Sequence, residues 1–414
     1  MNETRYTPAL RVVSEEFSSS HDLVAYLDAE APLLFQRQQR GIVGQGVAVE
    51  AHFSGPNRFS DASAWWQGLR AAATITNPMG RPCSGLVGFV QFSFSPHSTR
   101  ASRLVIPSIV LGRDEEGWWV TRIGEEAGDP VLSPEAVDGH PTVAWESSPM
   151  SEDTYVRDVE TLTTEMRQSA LHKVVLARQL VGTSSQPLSL ASAVGALATA
   201  YPDTHLFAMG GFVGASPETL ASIRDNTLSL RVLAGSAARG TDPDSDAHHA
   251  TVLATSTKDL DEHEYAVTSV VDSLSHAGLS AVVAESPHAL KLPNLWHLAT
   301  DIHAHLPERT CALDIVGALH PTAAVAGTPT ELALDAIERH EPFDRGYFAG
   351  PIGWLDGEGN GEFAIALRCA ELSDDRTRVI AHAGAGIVKD SDPSSELLET
   401  TLKFRPIVDA FSST

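Results

Sequence analysis

The stretch Glu341–Pro406 opens EPFDRGYFAGPIGWLDGEGNGEFAIALRCAEL, passes through AHAGAGIV, and closes SDPSSELLETTLKFRP. Its reading decides the fold class. Trp354-Leu355-Asp356 leads into Gly357-Glu358-Gly359-Asn360-Gly361, a turn. Phe363 to Leu372 then reads as one mostly apolar strand with a charge, Arg368, in its middle. Ser373-Asp374-Asp375 reverses the chain, and Thr377 to His382 runs back. Gly384-Ala385-Gly386 reads as a glycine turn whose backbone N–H groups suit an anion. In the helix that follows, Asp392 is the N-cap and Pro393 the first residue. Glu396 and Glu399 share one face of it at i and i+3, and Lys403 lies one turn further on. An edge arginine, a tight turn and a solvated helix face explain each feature singly. Together they point to a carboxylated ligand held beside a divalent metal.

A chain of 414 residues can bury a large core. Its 29 Lys and Arg against 53 Asp and Glu give a net charge of −24, which argues against nucleic acid and anionic membranes as partners. An anionic small molecule would need a locally positive pocket. Cys83, Cys311 and Cys369 have no paired or CxxC spacing, so neither a disulfide framework nor a zinc site is expected. MNETRYTPAL lacks the basic-then-apolar pattern of a signal peptide, and no apolar run reaches the ~20 residues of a membrane helix. A cytoplasmic protein is the expectation.

Working outward, Gly85 onward turns to β pattern: LVGFVQFSF, then a hairpin around Asp114-Glu115-Glu116-Gly117. That echoes the glycine-led strand and hairpin of the C-terminal stretch and suggests a diverged duplication. Trp65-Trp66 is expected in the core, and residues 125–152 read as a linker. Lys173–Arg178 reads as a strand, as does Leu206–Val213, which ends in Gly214-Ala215-Ser216-Pro217-Glu218. A long helix is expected over about 246–276, with Asp259 and Glu262 at i and i+3 opposite its apolar stripe. Two helices thus each offer a carboxylate pair. Oxygen ligands without nearby cysteine suit Mg²⁺, although acidic helix faces are usually just solvated. Hairpins with few long helices indicate α+β with mainly antiparallel sheets.

The words KVVLARQL at Lys173, GASPETL around Glu218, LAGSAARG at Leu233, KDLDEHEYAV at Lys258, LWHLAT at Leu295 and LHPTAAVAGTP at Leu319 come in one order, ahead of the stretch quoted above. In that order the chain resembles the chorismate-utilising enzymes, and most closely the isochorismate synthases. The resemblance runs from the helix before Lys173 to the C-terminus. It implies two large sheets packed face to face with flanking helices. Residues 1–150 would be the variable N-terminal half of that fold, and 151–414 the chorismate-binding region carrying the active site.

The resemblance implies Mg²⁺-dependent conversion of chorismate to isochorismate: water adds at C2 and the C4 hydroxyl leaves. Lys173, opening an apolar strand, would be the base, and Glu218, at the end of another, the acid. Such work needs pKa values pushed in opposite directions. Glu262 and Glu399 would ligate the metal directly, with Asp259 and Glu396 holding its waters. Arg368 and the N–H groups near Gly384, Ala385 and Gly386 would hold a carboxylate. Lys403 would add positive charge, Gly235 and Ser236 would line the ring, and His297 would sit near the reacting hydroxyls. Lys173 together with Ala234 differs from the ammonia-using relatives, so no glutaminase subunit is expected, and a monomer is. Two alternatives stay open: a salicylate synthase that goes on to eliminate pyruvate, and a non-catalytic chorismate-binding subunit. One departure is Ala237-Ala238-Arg239, where relatives often have two basic residues together.

Overall fold

The computed structural model describes residues 9–125, 127–133, 141–291, 295–308 and 310–412. Two large β-sheets lie face to face, with helices outside them. Among the described residues one sheet has thirteen strands and the other ten. Pairing is mainly antiparallel, as between Lys173–Thr183 and Arg378–Val388, or Thr227–Ala238 and Leu295–His305. Arg11–Phe17 with Thr74–Thr76 is a parallel pair. The fold is α+β, as the hairpin pattern implies.

Alternation along the strands divides each side chain set between two layers. Phe207 and Phe212 from the larger sheet and Phe89 and Trp354 from the smaller fill the space between them. Leu206, Ala208 and Ala381 face the other way, onto the helices Leu190–Ala200 and Pro393–Ala410. Trp65 and Trp66, on the helix Arg58–Ala72, are buried, with Trp66 against the outer face of the smaller sheet at Gly88. No helix among the described residues is long and apolar enough to cross a membrane.

The first 150 residues do not form a separate body. Leu33–Arg37 pairs with His205–Met209, and Val87–Gln91 pairs with Pro351–Asp356. Those last two are the glycine-led strands whose likeness is visible in sequence. Within the segment read as a linker, Ala144–Ser147 is an edge strand against Leu180–Thr183. Residues 126 and 134–140 of it lie outside the described residues.

Four local readings are corrected. Leu206–Val213 is a hairpin, with strands His205–Met209 and Phe212–Ser216. The long helix over 246–276 is two helices, Pro243–Thr255 and Thr257–His276, because Ser256 leaves helical geometry and caps the second through Asp259 N–H. Gly384–Gly386 is no turn: it lies within Arg378–Val388, opposite Ala177, Leu176 and Val175. Phe363–Leu372 is two strands in different sheets, Gly361–Ile365 and Cys369–Leu372. The break between them sets up the site.

Candidate active site

The chain passes from one sheet to the other at two adjacent places. Phe212–Ser216 belongs to the larger sheet and Thr219–Arg224 to the smaller, so Pro217-Glu218 is one crossing. Ala366-Leu367-Arg368 is the other, in the opposite direction. The crossings are tied together by backbone and hydroxyl bonds. Ile365 N–H donates to Glu218 O at 3.1 Å, and Ala215 N–H donates to Arg368 O at 3.2 Å. Ser216 Oγ donates to Ile365 O at 2.6 Å and accepts from Glu218 N–H at 3.2 Å. Arg368 adopts φ +48°, a left-handed backbone that an arginine enters only when its surroundings impose it. Glu218 and Arg368, 150 positions apart in sequence, are thereby mounted side by side.

Lys173 arrives from a third element. It opens the strand Lys173–Thr183, and its Val388 and Thr328 neighbours hold it from both edges. A Cβ on Gly386 would stand 3.0 Å from Lys173 Cε, so the missing side chain there makes room for the lysine. Lys403 is the third cation-bearing residue, on the helix Pro393–Ala410. Its Nζ donates to Gly384 O at 2.8 Å and to Glu399 at 2.6 Å. Burial lowers the Lys403 and Arg368 pKa values, each partly offset by Glu399.

Glu218 lies amid these charges, and its carboxyl is pushed up to about 7 by burial, against the opposing pull of Lys173, Arg368 and Lys403. The burial has a structural source. A small cavity, about 40 Å³, touches Lys173 and Glu218 and is otherwise walled mostly by apolar groups such as Leu230, Val232, Ala323 and Ile365. A carboxyl in such a place keeps its proton near neutral pH. A larger open depression of about 610 Å³ lies elsewhere, at the Arg239, Asp246 and Trp296 corner, away from these acid–base groups.

The ring of the site is completed by the strand Thr227–Ala238. Its register slips between Ala234 and Ser236, and Gly235 takes φ +75° in the resulting bulge. His297 Nδ1 donates to the Gly235 carbonyl at 3.2 Å. Burial lowers the His297 pKa, Lys403 and Arg368 lower it further, and Glu399 opposes them, so this ring sees the same charges as Glu218. His263 Nδ1 donates to the preceding carbonyl, Ala234 O, at 3.1 Å. A Cβ on Gly235 would meet Asp259 Cβ at 3.3 Å, which places the start of the helix Thr257–His276 against the bulge.

Of the residues singled out from sequence, the structure gathers Lys173, Glu218, Gly235, Asp259, His297, Arg368, Gly384, Ala385, Gly386, Glu396, Glu399 and Lys403 around one locality. The side chains of Ser236 and Glu262 lie outside the described residues. The sequence reading passed over His263, the buried Arg178, and the Glu341–Arg345 pair. All four sit within or beside the recognised motif words, but local sequence does not show which strand each side chain will meet, so they carry no signal of their own.

The metal expectation can be tested against the donor set. Among the described residues no three metal-capable side chains cluster. Mg²⁺ commonly takes only one or two protein carboxylates, with water and ligand oxygens completing its shell. Burial raises the Glu396 carboxyl and the neighbouring Glu399 charge raises it again, a like-charge pair that a cation would relieve. Oxygen donors on this helix and Asp259 on the other fit a hard divalent ion.

Comparison with known proteins identifies the family. The profile of the family described as chorismate binding enzyme matches residues 130–412. The chain belongs to this family. Among chorismate-binding enzymes it is 32% identical over 424 residues to the salicylate biosynthesis isochorismate synthase of Pseudomonas aeruginosa, covering 94% of this chain and 87% of that one. It is 32% identical over 400 residues to isochorismate synthase MenF of Bacillus subtilis, covering 89% and 84%. The solved structure of MenF, the menaquinone-specific isochorismate synthase of Escherichia coli, superposes with a TM-score of 0.82 at 24% identity, over 98% of this chain and 95% of that one, which establishes the common fold.

Proposed function

We propose that this enzyme is an isochorismate synthase, an isomerase that moves a hydroxyl on chorismate from C4 to C2. The observation that carries the reading is the pairing of Lys173 with a Glu218 carboxyl held near pH 7, both against one apolar cavity. A base and an acid so placed match addition of water at one ring carbon and departure of hydroxide from another. The several isochorismate synthases among its relatives support the same reading.

In this reading Lys173 takes a proton from the attacking water, and Glu218 gives its proton to the departing C4 oxygen. The double bonds shift between, and one water enters as one leaves. Arg368 holds a carboxylate, and the N–H groups on the open edge of Gly384–Gly386, beyond the end of Cys369–Leu372, add donors for it. Lys403, anchored on Gly384 O and Glu399, supplies positive charge beside them. His297, fixed by Gly235 O, presents its other nitrogen to the ring hydroxyls. Glu399 and Glu262 would hold Mg²⁺ directly, with Asp259 and Glu396 behind them. The ion would neutralise the substrate's ring carboxylate against this acidic rim.

Incubating the purified protein with chorismate, with and without Mg²⁺, and separating products by HPLC tests the proposal. Isochorismate formed only with Mg²⁺ is expected. Salicylate with an equal amount of pyruvate would make it a salicylate synthase, and tight chorismate binding without turnover would make it a binding subunit.

A further inference from the structure

The strand that carries Lys173 has an incomplete edge. On one side it pairs with Arg378–Val388 from Lys173 through Thr183. On the other, Thr328 and Gly327 pair with Lys173 and Val174, and Val175 N–H donates to Ala326 O at 2.8 Å. Ala144–Ser147 pairs further along, from Leu180 to Thr183. Between these two partners, Val175 O and Ala177 N–H face no neighbouring strand among the described residues.

Two side chains fill that gap. Ala177 N–H donates to Glu341 Oε1 at 2.8 Å, and Arg345 Nη2 donates to Val175 O at 2.7 Å. The two side chains pair with each other, Arg345 Nε to Glu341 Oε2 at 2.8 Å and Nη2 to Oε1 at 2.5 Å. Arg345 Nη1 also donates to Val325 O at 2.9 Å. That segment runs on to Gly327 and Thr328, the residues pairing with the start of the Lys173 strand. The guanidinium thus grips both backbones that flank the lysine. Its carbon stands 4.5 Å from the centre of the Phe94 ring and 5.7 Å from that of Phe348. Side-chain exposure is 2% for Arg345 and 1% for Glu341.

An ion pair this deep is a poor device for stability alone, because desolvation consumes most of its attraction and a well-packed apolar pair of similar volume commonly does as well. What an apolar pair cannot supply is a donor and an acceptor at fixed positions along a strand edge. In an antiparallel strand the N–H and C=O of Lys173, Val175 and Ala177 address the same edge. Holding Val175 and Ala177 therefore sets the direction in which the strand presents residue 173.

We propose that Glu341 and Arg345 are positioning residues for Lys173: a side-chain pair standing in for the missing neighbour strand and fixing the backbone on which the lysine is mounted. This rests on the reading of Lys173 as the base of chorismate hydration. The two residues touch neither the substrate pocket nor the metal rim, so their effect passes through the geometry of Lys173. A displacement of about 1 Å in a reacting group can lower a rate ~100-fold.

The test is the double variant Glu341→Leu/Arg345→Met, which keeps the volume and removes both charges, the three hydrogen bonds to backbone and the two between the side chains. Steady-state assays on chorismate with Mg²⁺ are expected to show kcat reduced about tenfold or more and KM for chorismate changed by less than about twofold. The melting temperature is expected to fall, because Ala177 N–H, Val175 O and Val325 O lose their partners, so the rates are compared at a temperature where circular dichroism shows the variant folded. Native kcat in the folded double variant overturns the proposal, as does a loss that appears in KM alone. Arg345→Lys is the milder probe, since one ammonium cannot reach Glu341, Val175 and Val325 together. It should lower kcat about threefold or more at unchanged KM, and native kcat in that variant also overturns the proposal, whether or not the double variant folds. A wild-type protein that leaves chorismate unchanged would instead refute the functional reading on which this rests.

Discussion

Glu218 lies at a crossing between sheets, and the consequences of that position can be followed with pH. Its carboxyl is held near 7 by burial, although three cations pull it down. A general acid must carry its proton, so kcat/KM on chorismate is expected to fall about tenfold per pH unit above ~7. A rate that stays flat from pH 6 to 9 would count against Glu218 as the acid. The same shift is a statement about stability. For an acid whose folded pKa is raised, the folded form is unaffected below the unfolded value near 4.5 and loses stability as pH rises towards 7. Glu218→Gln escapes that loss. Between pH 5 and pH 8 the variant should gain roughly 2 kcal/mol on the wild type in urea denaturation, while its activity falls by about 10²- to 10⁴-fold. The residue types of this site were legible in the words GASPETL and KVVLARQL. The direction of the shift is what an acid there requires, but its source was not legible, because burial comes from Leu230, Val232 and Ile365, which belong to other strands.

At the scale of elements, the C-terminal helix is the clearest case of a local signal. Asp392 accepts from Ser395 N–H at 2.8 Å and Pro393 opens the first turn, as their types and order predict. What seats the helix is a contact no spacing reveals. Arg178, 1% exposed, reaches from the Lys173 strand to Thr400 Oγ1 at 2.8 Å and Thr401 Oγ1 at 2.7 Å, with its carbon 4.9 Å from the centre of the Phe404 ring. Thr400→Val keeps the shape and removes the acceptor from a buried cation, and should cost about 1.5–3 kcal/mol. Urea unfolding that shows no change would mean the contact does not seat the helix. The glycine segment Gly384–Gly386 shows the opposite case. Alternating small residues read locally as a turn, because glycine weakens a strand. In the fold they are needed within a strand, so that Lys173 and Lys403 can lie against it.

At the scale of the molecule, His205, His320 and His382 lie in the packed interior, each pushed by burial down to about 3. A base with a depressed folded pKa contributes stability above its unfolded value, near 6.5, and loses it as pH falls towards the folded value. Three such rings should steepen the fall to about 4 kcal/mol per pH unit between roughly pH 6 and 4. Replacing one of them, as in His320→Phe, should flatten that slope by about a third, and an unchanged slope would show that the ring is already charged in the folded protein.

The sequence by itself determined the α+β class, the cap at Asp392, the turn at Asp114–Gly117, and the chemical inventory of the site: a lysine, an acid, an arginine and two acidic helices in a chain of net charge −24. These rest on interactions between residues a few positions apart, or on side-chain type. Only the tertiary structure decided that Phe363–Leu372 breaks at Arg368 and changes sheet, that this crossing lies against the one at Glu218, and that Glu341 and Arg345 complete the edge of the Lys173 strand. Those outcomes depend on which strands become neighbours. Pairing is chosen by the burial of whole sheet faces, a property that no single stretch of the chain contains.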